Sequence, residues 1–159
     1  GVPITLQTLG VMLAGCLLGA RLGFQTVLLF LAAVAIGLPL LSGGRGGLGV
    51  FMAPSAGYLL GWPLGALVTG WSMARLPAGT PRSAAISAAA ASALGGLLVV
   101  HATGVIGLVA LAHLSWTQAA LGTLLFVPGD LVKCAIMGLV VHTVARGLPD
   151  WQFGGRALR

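Results

Sequence analysis

Apolar positions in this chain do not alternate with polar ones; they run together, and single polar or charged residues punctuate them. A helix that crosses a bilayer needs about 20 mostly apolar residues, and five runs approach or exceed that length. The first covers residues 4–20, ITLQTLGVMLAGCLLGA, and Arg21 closes it. The second covers 22–41 and ends at Pro39 and the Gly43-Gly44 pair. The third covers 56–76. The fourth runs from Ser83 to Ala112, long enough to tilt strongly or to break near Gly104 and Gly107. The fifth covers 117–145 and must break or kink at Pro128-Gly129, because proline cannot donate the helical hydrogen bond. The pattern predicts an all-α integral membrane protein, a bundle of five transmembrane helices forming a single domain over residues 1–159.

Loop charges orient that bundle. With five spans, Arg21, Arg75, Arg82, Arg146, Arg156 and Arg159 share one side, and Arg45 alone lies on the other. By the positive-inside bias the arginine-rich side is cytoplasmic. Residue 1 then falls outside, so a sixth helix is expected ahead of it in the full-length protein. Small residues recur at a spacing of four: Gly15 with Gly19; Gly57, Gly61 and Gly65; Ala84, Ala88 and Ser92. In lipid such rows let helix backbones approach closely. They predict packing inside the bundle in preference to docking of a partner.

Composition supports the membrane reading. Of 159 residues 58% are hydrophobic and 6% charged, against about 25% charged in a soluble domain, and the mean hydropathy is +1.06. A formal net charge of +6 raises nucleic-acid binding as a class. The arginines are scattered singly between apolar runs, however, which marks membrane topology rather than a nucleic-acid footprint. Cys16 and Cys134 lie inside apolar runs without metal-ligand spacing and read as small buried hydrophobes.

One stretch breaks the apolar rule. FVPGDLVKC, residues 126–134, carries Asp130 and Lys133. A charge near the bilayer centre costs on the order of 3 kcal/mol on insertion scales. If a helix restarts at Pro128, the two residues stand i and i+3 on one face and neutralise each other, with Asp130 at the positive end of the helix dipole. From there to Ala145 is about 22 Å at 1.5 Å per residue, which places the pair in the outer half of the membrane. A buried ion pair often gains no stability over apolar residues, so ligand binding is preferred over a bare structural brace. A carboxylate acceptor beside an ammonium donor suits a neutral head group with both N–H and C=O, such as a cyclic urea or amide, and suits a phosphate poorly.

Other polar residues are candidates for the same cavity. Thr5, Gln7 and Thr8 lie in the outer part of the first run. Tyr58 and Trp62, at i and i+4, either flank an apolar ring system or belong to the interfacial aromatic belt. SGGRGGLG, residues 42–49, reads as a flexible outer lid with Arg45 as a partner for an anionic tail. His101, His113 and His142 are isolated from carboxylates in sequence and read as core or interfacial residues. Nucleophile–base pairs, metal clusters and the GxxxxGK[ST] phosphate loop do not occur. Transport or binding without enzymatic activity or a cofactor is therefore expected.

Three segments, VPITLQTLGVMLAGCLLGARLG, GGRGGLGVFMAPSAGYLLGWP and FVPGDLVK, together resemble the BioY family, the biotin-binding S components of energy-coupling-factor (ECF) vitamin transporters. The resemblance covers essentially the whole chain. It implies a multi-pass, six-helix domain of the plasma membrane that captures biotin from outside. It also implies an ECF transmembrane coupling subunit and a pair of cytoplasmic ATP-binding subunits as partners. Asp130 would accept the ureido N–H groups, Lys133 would serve the ureido carbonyl or hold Asp130 in place, and Gln7 and Tyr58 become wall residues. Where the family usually reads close to GPTGGY this chain has APSAGY, residues 53–58, so the flexibility of that loop is expected to differ. Two other functions remain open at this point. One is an ion-coupled secondary transporter of a small polar solute with Asp130 as the ion site. The other is a structural membrane subunit whose ion pair fixes helix register.

Overall fold

The computed structural model describes residues 5–155, and within them every element is helical apart from an isolated antiparallel bridge between Leu41 and Arg45. Helix α1 (Gln7–Leu13) runs on as a π-helical stretch, Ala14–Leu18, and then meets Gly19. With φ at +86°, Gly19 reverses the chain directly into α2 (Ala20–Ala35). A side chain there would be strained by the backbone and would also strike the Gly154 backbone, which packs against this turn. A long loop with one 3-10 turn, Leu48–Met52, leads to α3 (Ala56–Met73).

Caps set the next boundaries. Thr80 and Ser83 form a capping box and Pro81 occupies the first turn of α4 (Pro81–Ser92). The helix continues through a second π-helical stretch, Ala93–Val99, into α5 (Val100–Ala112). His113, in the left-handed conformation at φ 54°, ends it. A Ser115–Gln118 capping box starts α6 (Trp116–Leu124), and α7 (Val127–Gly147) restarts after a break at Leu125 and Phe126 with Pro128 in its first turn.

The bundle is built around α3, of whose 18 residues 13 are buried. Its row of small residues explains this. Gly57 lies against the Gly107 backbone, Gly61 against Thr103, and Gly65 against Val100 and Gly95, so α3 and the α4–α5 rod come nearly backbone to backbone. Ala84 and Ala88 are fully buried on α4, and Gly138 of α7 abuts Ala85. The expected role of the four-residue repeats, packing within one bundle, is the one seen. Large apolar side chains instead point outward: Ile36, Leu125, Leu29 and Ile86 are 82%, 74%, 72% and 72% exposed. That inversion is stable only with hydrocarbon as the neighbour.

The all-α expectation holds, with differences in detail. Pro81–Ala112 (32 residues) and Val127–Gly147 (21 residues) are long and apolar enough to cross a membrane, whereas Gln7–Leu18 and Ala20–Ala35 are apolar but shorter. The fourth run does not break at Gly104 or Gly107. Those glycines are consumed by close packing against Tyr58 and Gly57, and the irregularity falls earlier, in the π-helical stretch. The fifth run breaks just before Pro128, as expected. Contacts of Gly19 with Gly154, Gly70 with Ala20 and Gly138 with Ala85 gather the helix ends near Arg21, Arg75, Arg82 and Arg146, whereas Arg45 lies with Thr5, Gln7 and Tyr58. Arg156 and Arg159, and the start of the first run at residue 4, lie outside the described residues.

Candidate functional site

Asp130 sits in the first turn of α7, where the helix dipole favours a carboxylate, and is 3% exposed. Both of its oxygens are engaged. Lys133, one turn on, donates from Nζ to Oδ1 at 2.7 Å, and Thr8 of α1 donates to the same oxygen at 3.1 Å. Oδ2 accepts from His101 Nε2 of α5 at 2.7 Å. Lys133 Nζ also donates to Thr8 Oγ1 at 2.8 Å, which leaves one of its three protons uncommitted. Three helices thus meet on one carboxylate, and a buried ion pair of this kind persists because each charge is matched and hydrogen-bonded.

The cluster forms one wall of a narrow cavity at the Arg45 end of the bundle. Thr5, Gln7, Thr8, Tyr58, Trp62, Phe126 and Arg45 line it further, and it leaves about 70 Å³ for the centres of water molecules. Tyr58 donates to or accepts from Thr123 Oγ1 at 2.6 Å, pinning α6 to α3. Its ring stands edge-on to His101 and Phe126, with centroids at 6.3 and 6.0 Å. Gln7 clasps the α2–α3 loop: Nε2 donates to Leu40 O and Oε1 accepts from Ser42 N, each at 3.4 Å. Arg45 Nε donates to Ser42 O at 3.1 Å, closing the tip of that loop. Leu41 and Arg45 of that loop line the cavity, which brings a positive charge to its edge.

All four residues singled out from the sequence, Asp130, Lys133, Gln7 and Tyr58, line this one cavity, with Arg45 and Trp62 beside them. His101 is the correction. It is buried, as a core residue should be, but it is not isolated from carboxylates, since antiparallel α5 and α7 bring positions 101 and 130 together. A histidine midway along a 32-residue apolar rod was itself the available signal, because a buried imidazole requires a partner. Thr123 was missed for a plainer reason: a lone threonine in an apolar run ordinarily bonds its own helix. His113 and His142 do not join the cavity lining. Among the described residues, no group of three His, Cys, Asp or Glu side chains is placed to hold a metal ion.

Comparison with known proteins identifies the relatives of this chain. The BioY family model matches residues 1–150. The biotin transporter BioY of Rhizobium etli is 46% identical over 152 residues, covering 93% of this chain and 80% of its own length. That of Rhodobacter capsulatus is 48% identical over 160 residues, covering 94% and 82%. Among solved structures, the crystal structure of the S-component for biotin from an ECF-type ABC transporter superposes with a TM-score of 0.84 at 32% identity, covering 91% of this chain and 76% of that one. A helical bundle with an outward-facing apolar surface, a family model matched over residues 1–150 and relatives matched along nearly all of its length leave one assignment: this chain is an integral membrane protein of the BioY family.

Proposed function

We propose that the chain is the membrane-embedded capture subunit for biotin, taking the vitamin from the outer face and delivering it with an ECF coupling subunit and ATP-binding partners. The carrying observation is the Asp130–Lys133–His101–Thr8 cluster in the wall of a cavity that Arg45 also lines, at the end away from Arg21, Arg75, Arg82 and Arg146. Under the positive-inside bias that end is extracellular, and the chain is a multi-pass protein of the plasma membrane. The ureido head group of biotin lies against the cluster. Asp130 accepts one of its N–H groups and the free proton of Lys133 serves its carbonyl. Tyr58 offers a ring face to the apolar sulfur ring, Gln7 holds the α2–α3 loop, and Arg45 meets the carboxylate tail at the edge. Because the cavity is narrow, the Gln7-clasped loop must yield for entry.

Isothermal calorimetry of the purified protein with biotin tests the reading. Saturable 1:1 binding is expected, weakened by Asp130→Asn by about 1.5–3 kcal/mol, the worth of a hydrogen bond to a charged group. Absence of saturable binding by a folded protein would sink it.

A further inference from the structure

Among the described residues, three buried side-chain polar atoms have no hydrogen-bond partner: Trp62 Nε1, Thr69 Oγ1 and Ser72 Oγ. A hydroxyl proton turns freely about its C–O bond, and neither residue lines the cavity described above. An indole N–H has no such freedom. It only donates, along a direction the ring dictates. Trp62 is 6% exposed, and its ring is held at 6.2 Å from that of Phe30. It lines both the Asp130 cavity and an adjoining apolar groove that contains Val11, Val27 and Phe30.

Helix register gives the depth of this donor. Across the α3–α5 contact Gly61 meets Thr103 and Gly65 meets Val100, so Trp62 stands at the level of His101 and therefore of Asp130. It belongs to α3, whereas Asp130 belongs to α7, and both line the cavity. A buried donor left unpaired destabilises the protein that carries it, and beside a cavity the natural complement is an acceptor that arrives with the ligand.

We propose that the Trp62 indole N–H is a specificity-determining donor that the carbonyl oxygen of the bound cyclic urea receives. This rests on the reading of the cavity as a biotin site. Two of the three Lys133 protons are already committed, to Asp130 and Thr8. The carbonyl oxygen has two lone pairs, so Lys133 fills one and Trp62 the other. The site then selects for a C=O between the two ureido nitrogens, where Asp130 alone would accept any N–H group.

The test compares wild type with Trp62→Phe, which keeps an aromatic ring against Phe30 and removes the donor. Calorimetry is run with biotin and with 2-iminobiotin, in which C=NH replaces the carbonyl, and melting of the empty protein is recorded. Expected are a loss of tenfold or more in biotin affinity, a preference for biotin over the imino analogue narrowed by the same factor, and an empty-state melting temperature no lower than wild type. Unchanged biotin affinity in Trp62→Phe overturns the proposal, and so does a loss accompanied by a lowered empty-state melting temperature, which marks Trp62 as packing alone. Failure of the underlying reading looks different: the wild type itself then does not bind biotin.

Discussion

Replacing the ion pair by apolar residues separates what holds the bundle from what holds the ligand. Asp130→Leu alone strands the Lys133 ammonium, 7% exposed, against Thr8 only, and Lys133→Met alone leaves a buried carboxylate to His101 and Thr8. Breaking a buried pair in this way costs about 3–5 kcal/mol. The double variant removes both charges, a change that is neutral or stabilising by about 1–4 kcal/mol in other buried pairs. It does leave the His101 donor, 9% exposed, without its acceptor, at about 1–3 kcal/mol. The two effects nearly cancel, so the double variant should melt close to wild type and well above either single. Its biotin affinity should nevertheless fall by roughly two to four decades, because two charge-assisted hydrogen bonds worth about 1.5–3 kcal/mol each are gone. Thermal melts in detergent and calorimetry on the four proteins complete the cycle. A double variant that binds biotin as the wild type does would falsify the placement of the ligand, and one no more stable than the singles would show that the pair braces the bundle.

Three further outcomes follow from neighbouring geometry. Gly104→Ala drives a methyl into the Tyr58 ring and should lower stability by about 1–3 kcal/mol, as other overpacked sites do; a melting temperature equal to wild type would contradict the close contact. Gln7→Ala removes both bonds that clasp the α2–α3 loop. It should speed biotin release several-fold in a radiolabel chase, and an unchanged off-rate would mean that the loop is held by its own turns. Arg45→Ala should weaken biotin about tenfold while the affinity for uncharged biotinamide changes by less than twofold, and equal losses for both ligands would remove Arg45 from the tail.

The elements were legible in the sequence to the extent that each is a local property. Pro128 announces the restart of α7, and the row Gly57, Gly61, Gly65 announces a backbone-close neighbour, because both effects act within one helix or across one face. The Asp130–Lys133 contact was legible for the same reason: i and i+3 on a helix are neighbours before any tertiary structure exists. The remaining pieces depend on long-range register. His101 and Asp130 meet because α5 and α7 run antiparallel at one particular offset, and Thr8 joins them from 122 residues away. Nothing local distinguishes that offset from one shifted by a turn. The π-helical stretches were invisible for a related reason. Gly95 and Gly96 sit where Thr69 of α3 and Met12 of α1 press in, so the irregularity answers to neighbours rather than to its own residues.

On the proposed reading, the charge balance of the site divides its selectivity along the ligand. Asp130 and Lys133 cancel, so the cluster carries no net charge from the pair at a depth where an unmatched ion would cost several kcal/mol. A head group bearing a full charge of either sign would upset that balance, whereas a neutral urea only exchanges hydrogen bonds with it. Neutral amide side chains at these positions would also have been balanced, but their hydrogen bonds are roughly half as strong as those to an ionised partner. A cancelled ion pair therefore gives the grip of charge without its desolvation burden, and only to a ligand end that is itself uncharged. On the same reading the anionic end of the ligand needs a cation where water still reaches, and the exposed Arg45, which lines the cavity, is the one proposed for it. Asp150, the other carboxylate of the chain, is exposed near the arginine-rich end, so it does not disturb this division.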